Sequence, residues 1–433
     1  MAPVARGYAR YVLAVMVGIN FLNYMDRWVA ASASVLIQRE FHLGDAPIGL
    51  LGSAFLIVYA FAALPFGYWA DRGVRKTVIG VGVAIWSLAT LFTGFARNFF
   101  QLFLSRAVLG IGEASYYPAG TSLLSDYFPK EQRARVMSIW GAGSTLGIAV
   151  GFAGGAYIAE KFGWRNAFFF AAAPGILFAL LAFGLREPLR GSAESRGPAL
   201  EKTRDASLRQ FIDLMRIPTL RATIFAQTLL FFVLASNAFW LPIVLNRRFD
   251  LTVSKAGLLA GVVLVAGGLI GTLAGGWIGD RRALNNPAAH LQVGIAGFLL
   301  GAVFISIALV APMSMGPVPV FVPAFFLAVV CLYLYAGPFT ALSQSVVSPA
   351  LRASAVTMLL FVSHILGDSH SPFDVGVISD HVGSLQLALL ITSPTLLVLA
   401  AIVATTGLRT VRRDVQKMED DWAQRPAEEA PSR

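Results

Sequence analysis

The sequence predicts an all-α integral membrane protein, with twelve transmembrane helices in two pseudo-symmetric six-helix bundles. Three observations lead there: an excess of apolar residues, their recurrence in windows of membrane-spanning length, and short motifs that echo between the two halves. Of 433 residues, 56% are hydrophobic and 13% are charged, with a mean hydropathy of +0.67. A soluble domain carries about 25% charged residues. The apolar windows each reach the ~20 residues that cross a bilayer core.

The windows are 8–34, 46–70, 75–95, 98–124, 132–159, 165–186, 219–246, 254–278, 288–311, 317–345, 351–378 and 384–408. The first follows Arg6 and Arg10 but is too long for a cleaved signal core and ends in no small-x-small site. Between the sixth and seventh windows, residues 187–217 turn polar, with Pro188, Gly191, Gly197 and Pro198 as breakers. The expected domains are an N-terminal bundle (1–186), a linker (187–217), a C-terminal bundle (218–408) and a tail (409–433). Near the linker's end, Leu208, Phe211, Ile212 and Met215 fall at helical spacing, opposite Arg209, Asp213 and Arg216. Such a helix either lies on the membrane surface or packs on the protein.

Net charge is +10. The positive-inside rule accounts for it without nucleic acid as a partner. One face collects Arg72, Arg75, Lys76, Lys130, Arg133, Arg135, Arg281 and Arg282, joined by the linker's Arg190, Arg196, Lys202 and Arg204. The other face holds only a few, among them Arg39, Arg97, Lys161 and Arg247. A multi-pass protein of the inner or plasma membrane, with both termini cytoplasmic, is expected. Cys331 is the sole cysteine, which excludes an intrachain disulfide and argues against a thiolate metal centre. No cofactor and no metal are expected.

"GYWADR" (67–72) ends the second window and "GWIGDR" (276–281) ends the eighth. "EQRARV" (131–136) opens the fifth and "ALRASAV" (350–356) opens the eleventh. Matched echoes six spans apart point to duplicated halves, as in secondary transporters. The expected cytoplasmic gate is Gly67, Asp71, Arg72, Arg75, Gly276, Asp280 and Arg281. Glycine would let helix ends approach, and aspartate would pair with an arginine or a helix N-terminus.

"GYWADRGVRK" and "RAVLGIGEA" (106–114) resemble the loop and fourth-helix signatures of the major facilitator superfamily. "GIGEASYYPA" (110–119) and "HILGDSHSPFDVGVISD" (364–380) are similar to the Spinster family of lysolipid and sphingolipid-phosphate transporters. The resemblance covers nearly the whole chain and implies the major facilitator fold. It departs in the fifth helix. There "GSTLGIAVGFAGGA" keeps Gly143, Gly147, Gly151 and Gly155 but has Phe152 where the antiporter signature has proline.

Four ionisable residues stand inside the windows: Asp26, Arg27, Arg106 and Glu113. A charge at the bilayer centre costs about 2.5–3.5 kcal/mol on insertion scales. Adjacent residues on a helix point about 100° apart, so Asp26 and Arg27 must look to other helices. Arg106, Gly110, Glu113 and Tyr117 share one helix face. Spacing leaves the pairing open, and a static ion-pair lock is one reading. The resemblance implies an Arg27–Glu113 pair in a central cavity; Asp26 and Glu113 are expected as proton-coupling residues because a desolvated carboxylate whose arginine is withdrawn takes up a proton. Asn23, Arg106, Tyr117, Asn237, Tyr333, His364 and Asp368 complete the expected substrate site with Arg27. The last two are expected as a hydrogen-bonded i,i+4 pair rather than metal ligands.

No nucleophile elbow or nucleotide-binding loop appears, so neither an enzyme nor an ATP-driven pump is expected. The resemblance implies a monomeric, proton-coupled, alternating-access transporter of an amphipathic anion, with protons and membrane lipids as its other partners. A small organic anion or drug-like solute is the alternative cargo.

Overall fold

The computed structural model describes residues 6–190, 208–284, 286–312, 316, 320–348 and 351–423. Among these there is no strand. The helices are α1 (Arg6–Phe41), α2 (Asp45–Arg72), α3 (Arg75–Gly94), α4 (Phe99–Ala114), α5 (Tyr116–Tyr127), α6 (Lys130–Phe162) and α7 (Trp164–Gly184). There follow α8 (Leu208–Met215), α9 (Pro218–Phe249), α10 (Val253–Ala283), α11 (Ala289–Val310), α12 (Val322–Tyr333) and α13 (Ala336–Ser345). The chain ends with α14 (Arg352–Ser363), a π-helical segment (His364–Asp368), α15 (Ser371–Val382), α16 (Leu385–Leu408) and α17 (Val411–Ala423). The linker's Arg196, Lys202 and Arg204, Ala350, and the tail beyond Ala423 lie outside the described residues, as do the side chains of Lys130 and Arg209.

Nine of the described segments are long and apolar enough to cross a membrane. The three expected spans outside that set are the first, fourth and eleventh. These carry Asp26 and Arg27, Arg106 and Glu113, and His364 and Asp368. Polar content, or a broken helix, keeps each below an ordinary span.

Three expected single spans are in fact interrupted. The fourth breaks at Ser115 between α4 and α5, and the tenth at Leu334–Tyr335 between α12 and α13. The eleventh passes through the π-helical turn before α15. Pro118, Pro338 and Pro372 follow the three breaks closely. Proline has no N–H to donate and its ring crowds the carbonyl four residues back, so the helix gives way one turn upstream.

The described residues form two compact units. One takes those within Met1–Leu200, Ala238–Val265 and Ser369–Ala388; the other those within Glu201–Asn237, Ala266–Asp368 and Leu389–Arg433. In the first, α6 lies tightly along α1. A Cβ on Gly143 would stand 2.8 Å from the carbonyl oxygen of Val17, and one on Gly151 would stand 2.6 Å from that of Met25. Small residues permit this approach, and in lipid such backbone proximity is the main source of helix association. Gly110 and Gly112 do the same for α4, whose Cβ positions would sit 2.6 Å from Phe55 O on α2 and 2.6 Å from Trp86 N on α3. This packing fixes α1, α2 and α4 around Arg27. In the second unit, α8 buries Leu214 while Ile212 of its expected apolar stripe stays exposed.

Candidate functional site

In the first unit, the Nε of Arg27 donates to Glu113 Oε2 at 2.6 Å. Of the two pairings open to Arg27 and Arg106, this is the one the fold makes. The Glu113 side chain is fully buried, whereas that of Arg27 keeps 20% of its surface accessible. The guanidinium is caged by three rings, with its Cζ 4.9 Å from the centroid of Tyr24 and 5.0 Å from those of Phe55 and Tyr59. Aromatic faces attract cations, and the more so where water is scarce. Phe55 also faces Arg106, at 5.2 Å, so one ring separates the two guanidiniums.

Asp26 and Arg106 are buried. Asp26 Oδ2 accepts from Thr90 Oγ1 at 3.2 Å. Among the described residues, the other oxygen of Asp26, Oε1 of Glu113, and Nε and Nη1 of Arg106 have no hydrogen-bond partner. Asn23 lies beside Glu113. Tyr117 is exposed, its ring 5.1 Å from that of Trp140. Its neighbour Tyr116 donates to Met16 O at 2.7 Å, tying α5 to α1 just past the break.

The second unit holds the other expected residues, Asn237, Tyr333, His364 and Asp368. Nδ2 of Asn237 donates to Ser393 Oγ and to Val233 O, both at 2.8 Å. Asn237 is therefore an interhelical tie between α9 and α16. His364 Nδ1 lies 2.7 Å from Asp368 Oδ2, along the π-helical turn. The His364 ring meets Phe231 edge-on at 5.1 Å, and Phe231 meets Tyr335 at 6.0 Å. Tyr335 thus joins the histidine cluster. Tyr333 instead packs on Gly268 and Gly271 of α10.

The gate motifs differ from expectation. A Cβ on Gly67 or Gly276 would meet nothing within 4 Å, though a Cβ on Gly337 of α13 would stand 3.2 Å from the Cα of Gly276, so close approach there falls on the backbone of α10. Among the described residues, Asp71 and Asp280 make no hydrogen bond or ion pair, and both are exposed. The motif arginines turn elsewhere. Cζ of Arg72 lies 3.7 Å from the Tyr68 ring and Cζ of Arg281 lies 4.1 Å from the Trp277 ring, each an aromatic four residues earlier. Arg75 is buried and bridges Asp126 at the end of α5 and Glu187 beyond α7, the latter at 2.7 Å. It also donates to Pro188 O at 3.0 Å. Arg75 is a structural hub that ties the start of α3 to the end of α5 and the segment after α7.

Sequence reasoning missed the cage of Tyr24, Phe55 and Tyr59. The i,i+4 spacing of Phe55 and Tyr59 was the available signal, but nothing in it says which helix the pair will face. Among the described residues, no group of His, Cys, Asp and Glu is arranged to hold a metal ion.

Comparison with known proteins agrees with this architecture. The profile of the Major Facilitator Superfamily matches residues 16–367. Protein spinster homolog 1 of Homo sapiens is 32% identical over 393 residues, 86% of this chain and 74% of that protein. Sphingosine-1-phosphate transporter SPNS2 of Danio rerio is 30% identical over 380 residues, 83% of this chain and 74% of that protein. A crystal structure of a bacterial homolog to the human lysosomal transporter Spinster superimposes with a TM-score of 0.81. It is 25% identical, with 96% of this chain and 99% of that one covered.

Proposed function

The chain belongs to the Spinster family of the major facilitator superfamily and is a multi-pass membrane transporter, and from that premise we propose that it moves an amphipathic anion by proton-coupled alternating access. The observation that carries the reading is the state of Arg27. Its guanidinium is held on one side by Glu113 and by three rings, yet part of it stays open. A planar guanidinium suits bidentate capture of a phosphate or carboxylate.

The mechanism follows from competition. An anionic headgroup that docks on Arg27 draws the guanidinium from Glu113. A carboxylate left in a desolvated site without its cation takes up a proton. Loss of that proton to the other side restores the pair and expels the anion. Asp26, buried and hydrogen-bonded only through one oxygen, is the second proton carrier. Arg106 supplies a second cation whose Nε and Nη1 are available to the headgroup. The acyl chain of a lysophospholipid or sphingolipid phosphate lies on apolar wall, and the name of the zebrafish relative supports this class of cargo.

The remaining assignments belong to the same proposal: two six-helix halves, cytoplasmic termini, a monomer in a plasma or inner membrane, and contacts to the cargo's other parts from Asn237, Tyr333, His364 and Asp368. Uptake by purified protein in proteoliposomes, with lysolipids set against short carboxylates and with and without a pH gradient, tests the reading. Gradient-dependent lysolipid uptake is expected, with Arg27→Lys losing most of it. Normal transport by Arg27→Lys, together with short carboxylates outcompeting lysolipids, would replace it with the small-anion reading.

A further inference from the structure

Helix α2 begins without a cap of its own. Its N-cap residue is Gly44, which has no side chain to accept the free N–H groups of the first turn. Those groups are satisfied from far along the chain. The N–H of Asp45 donates to Asp380 Oδ1 and that of Ala46 donates to Asp380 Oδ2, both at 2.8 Å. Asp380 lies in the last turn of α15.

A related contact appears at the start of α10, although there Thr252 also supplies a cap of the helix's own, its Oγ1 accepting from the N–H of Lys255 at 3.4 Å. The N–H of Ser254, in the first turn of α10, donates to Glu160 Oε2 at 2.6 Å, and Glu160 lies in the last turn of α6. The two sites are related by the internal repeat. The 209-residue offset from Asp45 to Ser254 is that from Asp71 to Asp280. The 220-residue offset from Glu160 to Asp380 is within one of that between the two helix breaks, Ser115 and Leu334. Each carboxylate also stands where its own helix disfavours it, because the negative end of a macrodipole repels an anion. Their placement serves the helices they cap.

Around the first cap, Arg247 reinforces the contact. Its Nη1 and Nη2 donate to Asp45 Oδ2 and Oδ1 at 2.9 and 2.5 Å, and Ser379 Oγ donates to Asp45 Oδ2 at 2.6 Å. One turn further in, Trp240 Nε1 donates to Pro372 O at 3.1 Å and the N–H of Phe373 donates to Ser53 Oγ at 3.2 Å. Had α2 needed only a permanent cap, Ser, Thr, Asp or Asn would serve in place of Gly44. A cap borrowed from another helix is lost when the two part.

We propose that Asp380 and Glu160 are releasable helix caps, a duplicated latch that closes the membrane face opposite the Gly67–Arg72 motif and lets go once in each transport cycle. This rests on the alternating-access reading. The latch biases the closed state because parting α2 from α15, or α10 from α6, strands first-turn N–H groups.

The test is thiol accessibility. Ser53→Cys, in a Cys331→Ser background, places a reporter behind the α2–α15 contact, where Ser53 is fully buried. In proteoliposomes, its rate of reaction with a membrane-impermeant methanethiosulfonate is measured for Asp380→Asn, Asp380→Asn with Glu160→Gln, and Gly44→Ser. The last keeps both carboxylates but gives α2 its own cap, and its Cβ would stand 2.9 Å from Asp380 Oδ2. Each single change is expected to raise the rate roughly 2- to 30-fold, the range set by loss of one N-cap. The double variant should exceed Asp380→Asn alone. An unchanged rate in the double variant, with circular dichroism and gel filtration unaltered, overturns the proposal. Should Asp380→Asn fail to fold, Gly44→Ser decides by itself. A reporter that responds in a protein that moves no cargo leaves the latch standing and removes the transport reading.

Discussion

The proposed mechanism turns on Arg27, whose guanidinium pairs with Glu113 and keeps an open side. Glu113 is its counter-charge and has a single hydrogen bond to it, at 2.6 Å, with the other oxygen unpartnered. Glu113→Gln keeps that shape but cannot exchange a proton. Gradient-driven uptake is expected to vanish in this variant while exchange of cargo across the membrane persists; the ratio of the two rates in one proteoliposome preparation is the measurement. The cage makes a second prediction. Tyr59→Leu removes one ring from the guanidinium, an effect of about 0.5–2 kcal/mol on a cation–π contact, and should alter cargo affinity by several-fold, read as a changed KM. The four charges were legible in the sequence because charge inside an apolar window has no other explanation. The cage was not, because the azimuth of α2 about its own axis is set by which of its residues α4 admits at Gly110.

At the scale of elements, the interrupted helices matter most. Breaks fall beside Glu113 and Tyr117, beside Tyr333 and Tyr335, and on His364 and Asp368. Unwound or π-helical turns free backbone groups and re-aim side chains, which is tolerated in a membrane where protein or a polar cavity surrounds them. Pro118 and Pro338 each occupy the third residue of the helix after the break. The prolines were visible in the sequence, yet a periodicity reading ran through them, since an apolar window of span length looks continuous either way. The glycine face of α6 was legible for the opposite reason: a four-residue repeat of the smallest side chain has few uses besides close packing. Gly151→Val places a branched side chain against the carbonyl of Met25, one residue before Asp26. Overpacking of this kind costs about 1–3 kcal/mol, so a melting temperature lower by several degrees is expected, measured in detergent by differential scanning fluorimetry.

For the whole molecule, membership of the family fixes transport as the activity and leaves the cargo to be set by the site and its walls. If a lipid chain lies along apolar surface, affinity must rise with its length. Each buried methylene contributes about 0.8 kcal/mol, or roughly fourfold in Kd, until the wall is filled. A series of lysolipids sharing one headgroup, competed against a single labelled one, checks this; a flat series would assign recognition to the headgroup alone. The apolar windows were a sound guide to a membrane protein, while the gate motif was legible only as a repeat. The motif's arginines stack on Tyr68 and Trp277, contacts that a loop signature does not encode as pairs.

The breaks at Ser115 and Leu334 carry a historical consequence. They stand at matching places in the two halves, whereas Arg106 and Glu113 do not: the same 219-residue offset leads to Phe325 and Leu332. A feature present in both copies is most simply inherited from their common ancestor, and one present in a single copy arose, or was lost, after they diverged. The bent fourth helix is therefore the older invention. The joint therefore belongs to the repeat itself, whereas Arg106 and Glu113 stand beside it in one copy alone.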